Sequence, residues 1–204
     1  MKLCPRDMPK TNLIAGVDEA GRGPLAGPVV AAAVILPARC AIEGLRDSKT
    51  IPPTERERLA EAIRARALSW SVQSAQVEEI DTLNILNATM LAMQRAVNSL
   101  LLQPGKVKVD GNQAPGLRCD IETIVGGDAL EMPICAASVL AKVYRDALMV
   151  RMDRLYPGYG FAQHKGYATR FHLEALKEKG VTALHRKSFL PVRQALQQKS
   201  LEFL

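Results

Sequence analysis

The chain has 204 residues, of which 48% are apolar and 24% are charged, a composition that predicts a globular protein and argues against disorder. Its longest uninterrupted apolar run, Val29–Leu36, is too short to span a bilayer. The first residues lack the apolar segment of a signal peptide, so we expect a cytoplasmic protein without membrane contact.

The first half of the chain predicts strands and one helix. The apolar run Asn12–Val17 indicates a strand that ends in a glycine-rich turn, and Pro28–Leu36, rich in Val and Ala, is typical of a buried strand. Residues 52–68 are charged, with apolar positions at helical spacing, and Ser69–Val77 alternates as strands do.

The second half predicts alternating elements and then helices. Strands are expected at Lys106–Val109 and Ile121–Val125, and helices at Asn84–Leu102, Pro133–Tyr156, Thr169–Lys179 and Pro191–Lys199. This order predicts a mixed α/β sheet flanked by helices. We expect a single domain over residues 1–204, with a core at about 12–155 and a helical, basic part at about 156–204.

The positive charge is unevenly distributed. Residues 1–141 carry 15 basic and 16 acidic residues, whereas residues 142–204 carry 12 basic and 5 acidic residues. This asymmetry favours a polyanionic partner, nucleic acid first, although a solvated helical surface explains it equally well. Residues 185–187 and Arg193 are candidate contacts to a DNA backbone, and equally candidates for solvated charge.

Four acidic residues follow predicted strands. Asp18 and Glu19 end the first strand, Asp110 ends the strand after Lys106, and Asp128 follows a strand and two glycines. Each alone is most simply a turn or cap residue. Four in the same situation favour a shared site, because loops converge at the ends of strands in open α/β sheets.

Clustered carboxylates repel one another unless a cation neutralises them. Oxygen ligands without nearby His or Cys favour Mg²⁺ or Mn²⁺ over Zn²⁺. Two such ions would suit phosphoryl transfer, one activating a water and the other stabilising the leaving oxygen. The sequence therefore predicts a divalent metal site.

Glu19 presents a geometric difficulty, because neighbouring residues of a strand point to opposite faces. We expect Glu19 to lie where the strand already turns, next to Gly21 and Gly23. The segment from Gly21 also fits a loose dinucleotide-binding pattern, but prolines interrupt any following helix. A glycine-lined backbone with Arg22 would instead suit the close approach of a sugar or phosphate.

Six segments in order make the sequence similar to one known family. They are VDEAGRGPLAGP (17–28), DSK (47–49), VDGN (109–112), GD (127–128), AASVLAKVYRD (136–146) and YGFAQHKGY (159–167). Each segment alone is weak, but the ordered set is specific and covers roughly residues 12–193. On these segments the chain resembles ribonuclease HII, the bacterial type 2 ribonuclease H.

The resemblance implies a ribonuclease H-like fold with a helical C-terminal extension. It also implies endonucleolytic cleavage of RNA in RNA–DNA hybrids and of single ribonucleotides embedded in duplex DNA. The cut would fall 5′ of the ribonucleotide and leave a 3′-hydroxyl and a 5′-phosphate. The family's four acids map to Asp18, Glu19, Asp110 and Asp128.

The resemblance also implies how substrate is recognised. The glycine-arginine-glycine loop maps to Gly21, Arg22 and Gly23, and the substrate-sensing tyrosine to Tyr167; together they would detect the 2′-hydroxyl that distinguishes RNA from DNA. Other expected substrate contacts are Lys49, Ser138, Lys142, His164 and Lys165. Lys142 is most simply one half of a helix ion pair with Asp146, and His164 a hydrogen-bonding or phosphate-facing residue. The family often has Lys where this chain has Gly126, so a contact could be missing there.

Two other functions remain open from the sequence alone. A different nuclease on the same fold, such as a resolvase, would share the acidic site but should lack the Gly21–Gly23 loop and Tyr167. A non-catalytic nucleic-acid-binding module would explain the basic C-terminal part but not four acids at strand ends. The tail has no clear clamp-binding motif, so the sequence does not support a replication partner. We expect a monomer and no obligate protein partner.

Overall fold

The computed structural model describes residues 11–45 and 51–201, with the side chains of the last helix described as far as residue 198. The strands in these ranges are β1 (Ile14–Ala20), β2 (Val29–Ile35), β3 (Ser69–Ala75), β4 (Lys106–Asp110) and β5 (Asp120–Ile124). The helices are α1 (Pro53–Arg66), α2 (Val77–Leu83), α3 (Ile85–Asn98), α4 (Gly127–Leu130), α5 (Met132–Leu155), α6 (Phe161–His164), α7 (Arg170–Lys179) and α8 (Leu190–Leu201).

The strands form one sheet in the order β3-β2-β1-β4-β5. Strands β1, β2 and β3 pair antiparallel, whereas β1, β4 and β5 pair parallel. The predicted mixed sheet flanked by helices is therefore confirmed. Helices α7 and α8 follow close to their predicted positions, whereas the short helix α6 was not predicted. No helix in the described part of the chain is long and apolar enough to cross a bilayer.

Helices cover both faces of the sheet, so the interior strand β2 is buried along its whole length. Residues of β2 such as Ala31 and Ala33 pack with α3 residues including Met93. The intervening Ala32 and Val34 pack instead with α1 and α5. The alternating side chains of each strand therefore face α3 on one side and α5 on the other.

Helix α5 lies directly against β1. A Cβ atom at Gly16 would come within 2.0 Å of the backbone of Pro133, so only glycine permits this approach. The close contact brings the N-terminal half of α5 beside the end of β1, where the first predicted acid lies.

Helix α2 was not expected, because the pattern of residues 69–77 predicts a strand and the following residues show no clear period. Its start is stabilised by a capping box between Gln76 and Glu79. Asn84, at a φ of 69°, then caps α3 by accepting a hydrogen bond from the amide of Asn87. Local capping therefore sets these boundaries.

Candidate active site

The register of two parallel strands brings Asp18 and Asp110 together. Gly16 pairs with Lys108 and Val17 pairs with Val109, so the next position on each strand carries a carboxylate. Because Val17 and Val109 both pack into the core on the α3 side, the alternation of the strands turns both aspartates to the α5 side.

Asp128 reaches the same place from the turn after β5. The left-handed conformation of Gly126, with a φ of 70°, starts the short helix α4 that carries Asp128. The amide of Gly127 donates a hydrogen bond of 2.7 Å to Oδ1 of Asp110. One carboxylate oxygen from each of Asp18, Asp110 and Asp128 lies within 4.8 Å of the others, so three of the four predicted acids converge.

The mutual repulsion of the carboxylates in this cluster favours the binding of a cation. Burial raises the pKa of Asp18 well above its ordinary value of 3.8, and the nearby charges of Glu19 and Asp110 raise it further. Hydrogen bonds from Ser138 and from the amide of Glu19 act in the opposite direction. Carboxylate oxygens alone make up the cluster, a donor set that fits Mg²⁺ or Mn²⁺.

Glu19 borders the cluster but is not one of its three converging acids. The expectation that the strand already turns at Glu19 is wrong, because β1 continues to Ala20. The carboxylate of Glu19 instead lies 3.4 Å from Nη1 of Arg22. Burial raises the pKa of Glu19, and the charge of Asp110 raises it further. Glu19 is therefore close enough to interact electrostatically with the acidic cluster.

The two glycines of the Gly21–Gly23 loop differ in backbone conformation and in the space around them. Gly21 has a φ of 98°, and a Cβ atom there would lie 2.0 Å from Nε of Arg145. At Gly23 the contact nearest to an added Cβ is Cε1 of Tyr167, at an ordinary 3.6 Å. Packing therefore requires glycine at position 21 but leaves room for a side chain at position 23.

Tyr167 stands beside this loop with 46% of its surface exposed. The amide of Leu25 donates a 2.8 Å hydrogen bond to the carbonyl of Gly166, which ties the two segments together. The loop and Tyr167 therefore lie side by side, and Arg22, Gly23 and Tyr167 are exposed there.

The remaining predicted contacts lie in several environments. Ser138 is buried and hydrogen-bonds to Asp18. Nζ of Lys142 lies 2.8 Å from Oδ1 of Asp146, the ion pair expected from their helical spacing, and Arg56 lies 3.5 Å from the other oxygen. Lys49 lies outside the described residues.

His164 and Lys165 are engaged by their own loop. Nε2 of His164 bonds the carbonyl of Tyr159 at 2.7 Å, and its Nδ1 accepts from the amide of Gly166 at 3.1 Å. Lys165 adopts a φ of 52°, and its Nζ donates to the carbonyl of Ala162. These contacts favour the hydrogen-bonding role for His164 and use both residues to shape the loop that carries Tyr167.

Sequence reasoning missed the buried Arg145 and misjudged His185 and Arg186. The expectation of DNA contact or solvated charge is wrong for His185 and Arg186, since both side chains are fully buried. Arg145 is 1% exposed and was not singled out at all. Arg145 could have been found from its position among apolar residues of the predicted helix, such as Val143 and Met149. An arginine on a buried helix face is unusual and indicates that its charge has specific partners.

A model of the ribonuclease HII family matches residues 15–192. The chain belongs to the ribonuclease HII family. Ribonuclease HII of Bordetella pertussis is 58% identical over 185 residues, which cover 91% of this chain and 92% of that protein. Membership makes the chain a ribonuclease H, a hydrolase with endonuclease activity, and its acidic cluster agrees with the metal dependence of such enzymes.

Two solved structures agree with this assignment. The crystal structure of ribonuclease H2 from Pyrococcus horikoshii has a TM-score of 0.79 at 27% identity, covering 91% of this chain and 98% of that one. Ribonuclease HII of Archaeoglobus fulgidus, solved in a complex with PCNA, has a TM-score of 0.70 at 26% identity, covering 89% and 97%. The ribonuclease H-like fold expected from the resemblance is confirmed.

Proposed function

We propose that this ribonuclease HII cleaves single ribonucleotides embedded in duplex DNA as well as the RNA strand of RNA–DNA hybrids. The cut falls 5′ of the ribonucleotide and leaves a 3′-hydroxyl and a 5′-phosphate, which suits a role in removing ribonucleotides from DNA. The observation that carries this proposal is the position of the Gly23–Tyr167 surface, because Gly23 follows Asp18 of the acidic cluster by only five residues.

Recognition in this proposal depends on the 2′-hydroxyl. Gly23 has no side chain, although its surroundings would accept one, so the space beside Tyr167 stays open for a sugar. The Tyr167 ring closes one side of that space, and the backbone of the loop lines the other. A ribose is distinguished from a deoxyribose there because only the ribose offers a 2′-hydroxyl to bond.

The acids supply the reaction centre. Asp18, Asp110 and Asp128, with Glu19 at their border, would hold Mg²⁺ or Mn²⁺, and a bound pair of such ions would activate water and stabilise the leaving oxygen. Ser138 orients the carboxylate of Asp18, and the amide of Gly127 orients that of Asp110. Both contacts reduce the number of orientations that the ligands can adopt before metal binds.

Phosphates on either side of the ribonucleotide need cationic contacts. Arg22 is half exposed beside Glu19, where its guanidinium would be able to contact a phosphate. Lys142 and Lys49 are further candidates for such contacts.

The substrate comparison tests this proposal. The protein is incubated with Mg²⁺ or Mn²⁺ and a DNA duplex containing one ribonucleotide, beside the same duplex without it. We expect cleavage of the first duplex alone. Cleavage of both would favour an unspecific nuclease on the same fold, and binding without cleavage of either would favour a binding module.

A further inference from the structure

Arg145 on α5 and Arg186 in the segment before α8 are two cations inside the protein. Their relative exposures are 1% and 0%, and neither forms a salt bridge with any carboxylate in the part of the chain that the structure describes. Burial lowers the pKa of Arg145 to about 10 and that of Arg186 to about 9, so both remain charged at neutral pH. A buried charge is unfavourable unless hydrogen bonds replace its water shell.

Arg186 finds these hydrogen bonds in the backbone of one loop. Its guanidinium donates to the carbonyl oxygens of four residues at distances of 2.6 to 2.9 Å: Gly21, Arg22, Pro24 and Gly27. Its own backbone amide donates to the carbonyl of Leu25 at 2.8 Å. One residue therefore fixes most of the loop that follows β1.

Arg145 donates further hydrogen bonds to the same loop and also joins it to the segment that carries Tyr167. Its guanidinium donates to the carbonyls of Pro28 and Ala26 at 3.2 and 3.1 Å. A third bond of 3.0 Å reaches the carbonyl of Lys165, two residues before Tyr167. The same side chain thus holds both segments that border the proposed ribose space.

Only a planar, multidentate cation fits this arrangement. An arginine offers five N–H donors in a fixed plane, whereas the lysine ammonium offers three from one point. The plane of Arg145 also occupies the space next to Gly21, where a Cβ atom would lie 2.0 Å from Nε. The glycine at position 21 is therefore matched to the guanidinium.

We propose that Arg145 and Arg186 are positioning residues that set the shape of the Gly21–Pro28 loop and its distance from Tyr167, and thereby the preference for a ribonucleotide. Neither residue contacts the substrate, because both are buried beneath the loop. This inference rests on the proposed function, since it names what holds the recognition surface in place.

The test compares Arg186→Lys and Arg145→Lys with Arg64→Lys, an exposed control on α1. For each variant the Kd is measured by fluorescence anisotropy in EDTA for the duplex with one ribonucleotide and for the all-DNA duplex. Steady-state kcat and KM follow with Mg²⁺. Circular dichroism and thermal melting show whether each variant is folded.

We expect each buried-site variant to stay folded and to lose about tenfold in the ratio of the two Kd values. The Kd for the all-DNA duplex should stay near that of wild type, and KM should rise more than kcat falls. Arg186→Ala should regain part of the ratio when guanidinium ion is added. Arg64→Lys should match wild type throughout.

An unchanged ratio in folded variants would overturn the inference. Unfolding of both lysine variants would also overturn it, because the arginines would then support the domain rather than the loop. The wild type separates this failure from that of the proposed function: if wild type itself does not prefer the ribonucleotide duplex, the proposed function fails.

Discussion

At the scale of single residues, Gly21 and Gly23 differ in whether the fold requires glycine at their position. Gly21 is needed for the fold, because it combines a φ of 98° with a collision against Arg145. Gly23 has no such constraint, so its small size serves whatever binds beside Tyr167. The loop pattern could be read from sequence, but this division of roles depends on the buried arginine.

Gly23→Ala should therefore separate folding from activity. We expect its free energy of unfolding to stay within about 0.5 kcal/mol of wild type, while kcat/KM on the embedded ribonucleotide falls at least about tenfold. Gly21→Ala, the matched control, should lose about 1–3 kcal/mol of stability. Urea unfolding and steady-state cleavage measure the two effects. Equal losses of stability in both variants would contradict this distinction.

Asp18 makes an unfavourable contribution to the metal-free fold. Its pKa is raised by burial and by neighbouring acids, so the carboxyl group ionises less readily in the folded state than in the unfolded chain. The penalty grows as the pH rises above 3.8, the ordinary value for Asp, and vanishes below it. A carboxylate kept at such a place is explained by metal binding.

Asp18→Asn should consequently abolish cleavage and stabilise the protein in EDTA at pH 7, by on the order of 1 kcal/mol. The gain should shrink as the pH approaches 4. Denaturant unfolding measures the change, with the exposed Asp120→Asn as control. A destabilised Asp18→Asn protein would indicate that the carboxylate supports the fold rather than the reaction.

At the scale of elements, the strands and long helices follow from the hydrophobic pattern, and the acids at strand ends indicate which edge carries the site. The convergence of Asp18 with Asp110 needed one further fact, the parallel register of β1 and β4. No local pattern specifies that register. The position of Glu19 depended on where β1 ends, which is set by its pairing with β2 as far as Ala20.

Helix α7 is joined to the segment before α8 by a chain of neutral histidines. Nδ1 of His172 lies 2.8 Å from the carbonyl of Tyr167, so it carries the proton, and Nε2 of His172 must accept from Nε2 of His185 at 3.1 Å. Nδ1 of His185 in turn accepts from the amide of Thr182. Each ring thus uses one nitrogen as an acceptor, which requires its uncharged form.

This chain predicts a pH dependence of stability. Burial, followed by the effect of His172, lowers the pKa of His185 from 6.5 to about 4. Between these values the unfolded state binds the proton that the folded state excludes, so stability falls as the pH drops below 6.5. The loss for this one group should reach roughly 2 kcal/mol by about pH 5.

Urea unfolding at several pH values measures the effect, and His185→Gln should flatten the slope relative to wild type. Asp18 titrates with the opposite sign, so the comparison between the two proteins isolates the histidine. Parallel slopes in wild type and variant would show that His185 titrates alike in the folded and unfolded states, so that burial does not lower its pKa.

At the scale of the whole molecule, the basic residues of the segment 142–204 divide into buried and exposed charge. Arg145 and Arg186, two of its 12 basic residues, are buried and serve the loop. Lys187 and Arg193 are exposed and remain available to a duplex. Net charge over a stretch of sequence therefore predicts the partner better than it predicts which residues touch it.

The exposed Lys187 and Arg193 should contribute equally to the binding of ribonucleotide and all-DNA duplexes. Lys187→Ala combined with Arg193→Ala should weaken binding to ribonucleotide and all-DNA duplexes by the same factor and reduce the salt dependence of Kd, because phosphate contacts carry no sequence or sugar information. Anisotropy titrations at several salt concentrations test this. A selective loss on the ribonucleotide duplex would place the pair in recognition instead.

The most direct test of the central claim is to move the ribonucleotide. A set of end-labelled DNA duplexes carries one ribonucleotide at successive positions, and the cut made with Mg²⁺ is mapped at single-nucleotide resolution. We predict that the cut moves with the ribonucleotide, always on its 5′ side, and leaves a 3′-hydroxyl and a 5′-phosphate. A cut that stays at a fixed sequence, falls on the 3′ side, or appears equally in the all-DNA duplex would contradict the account.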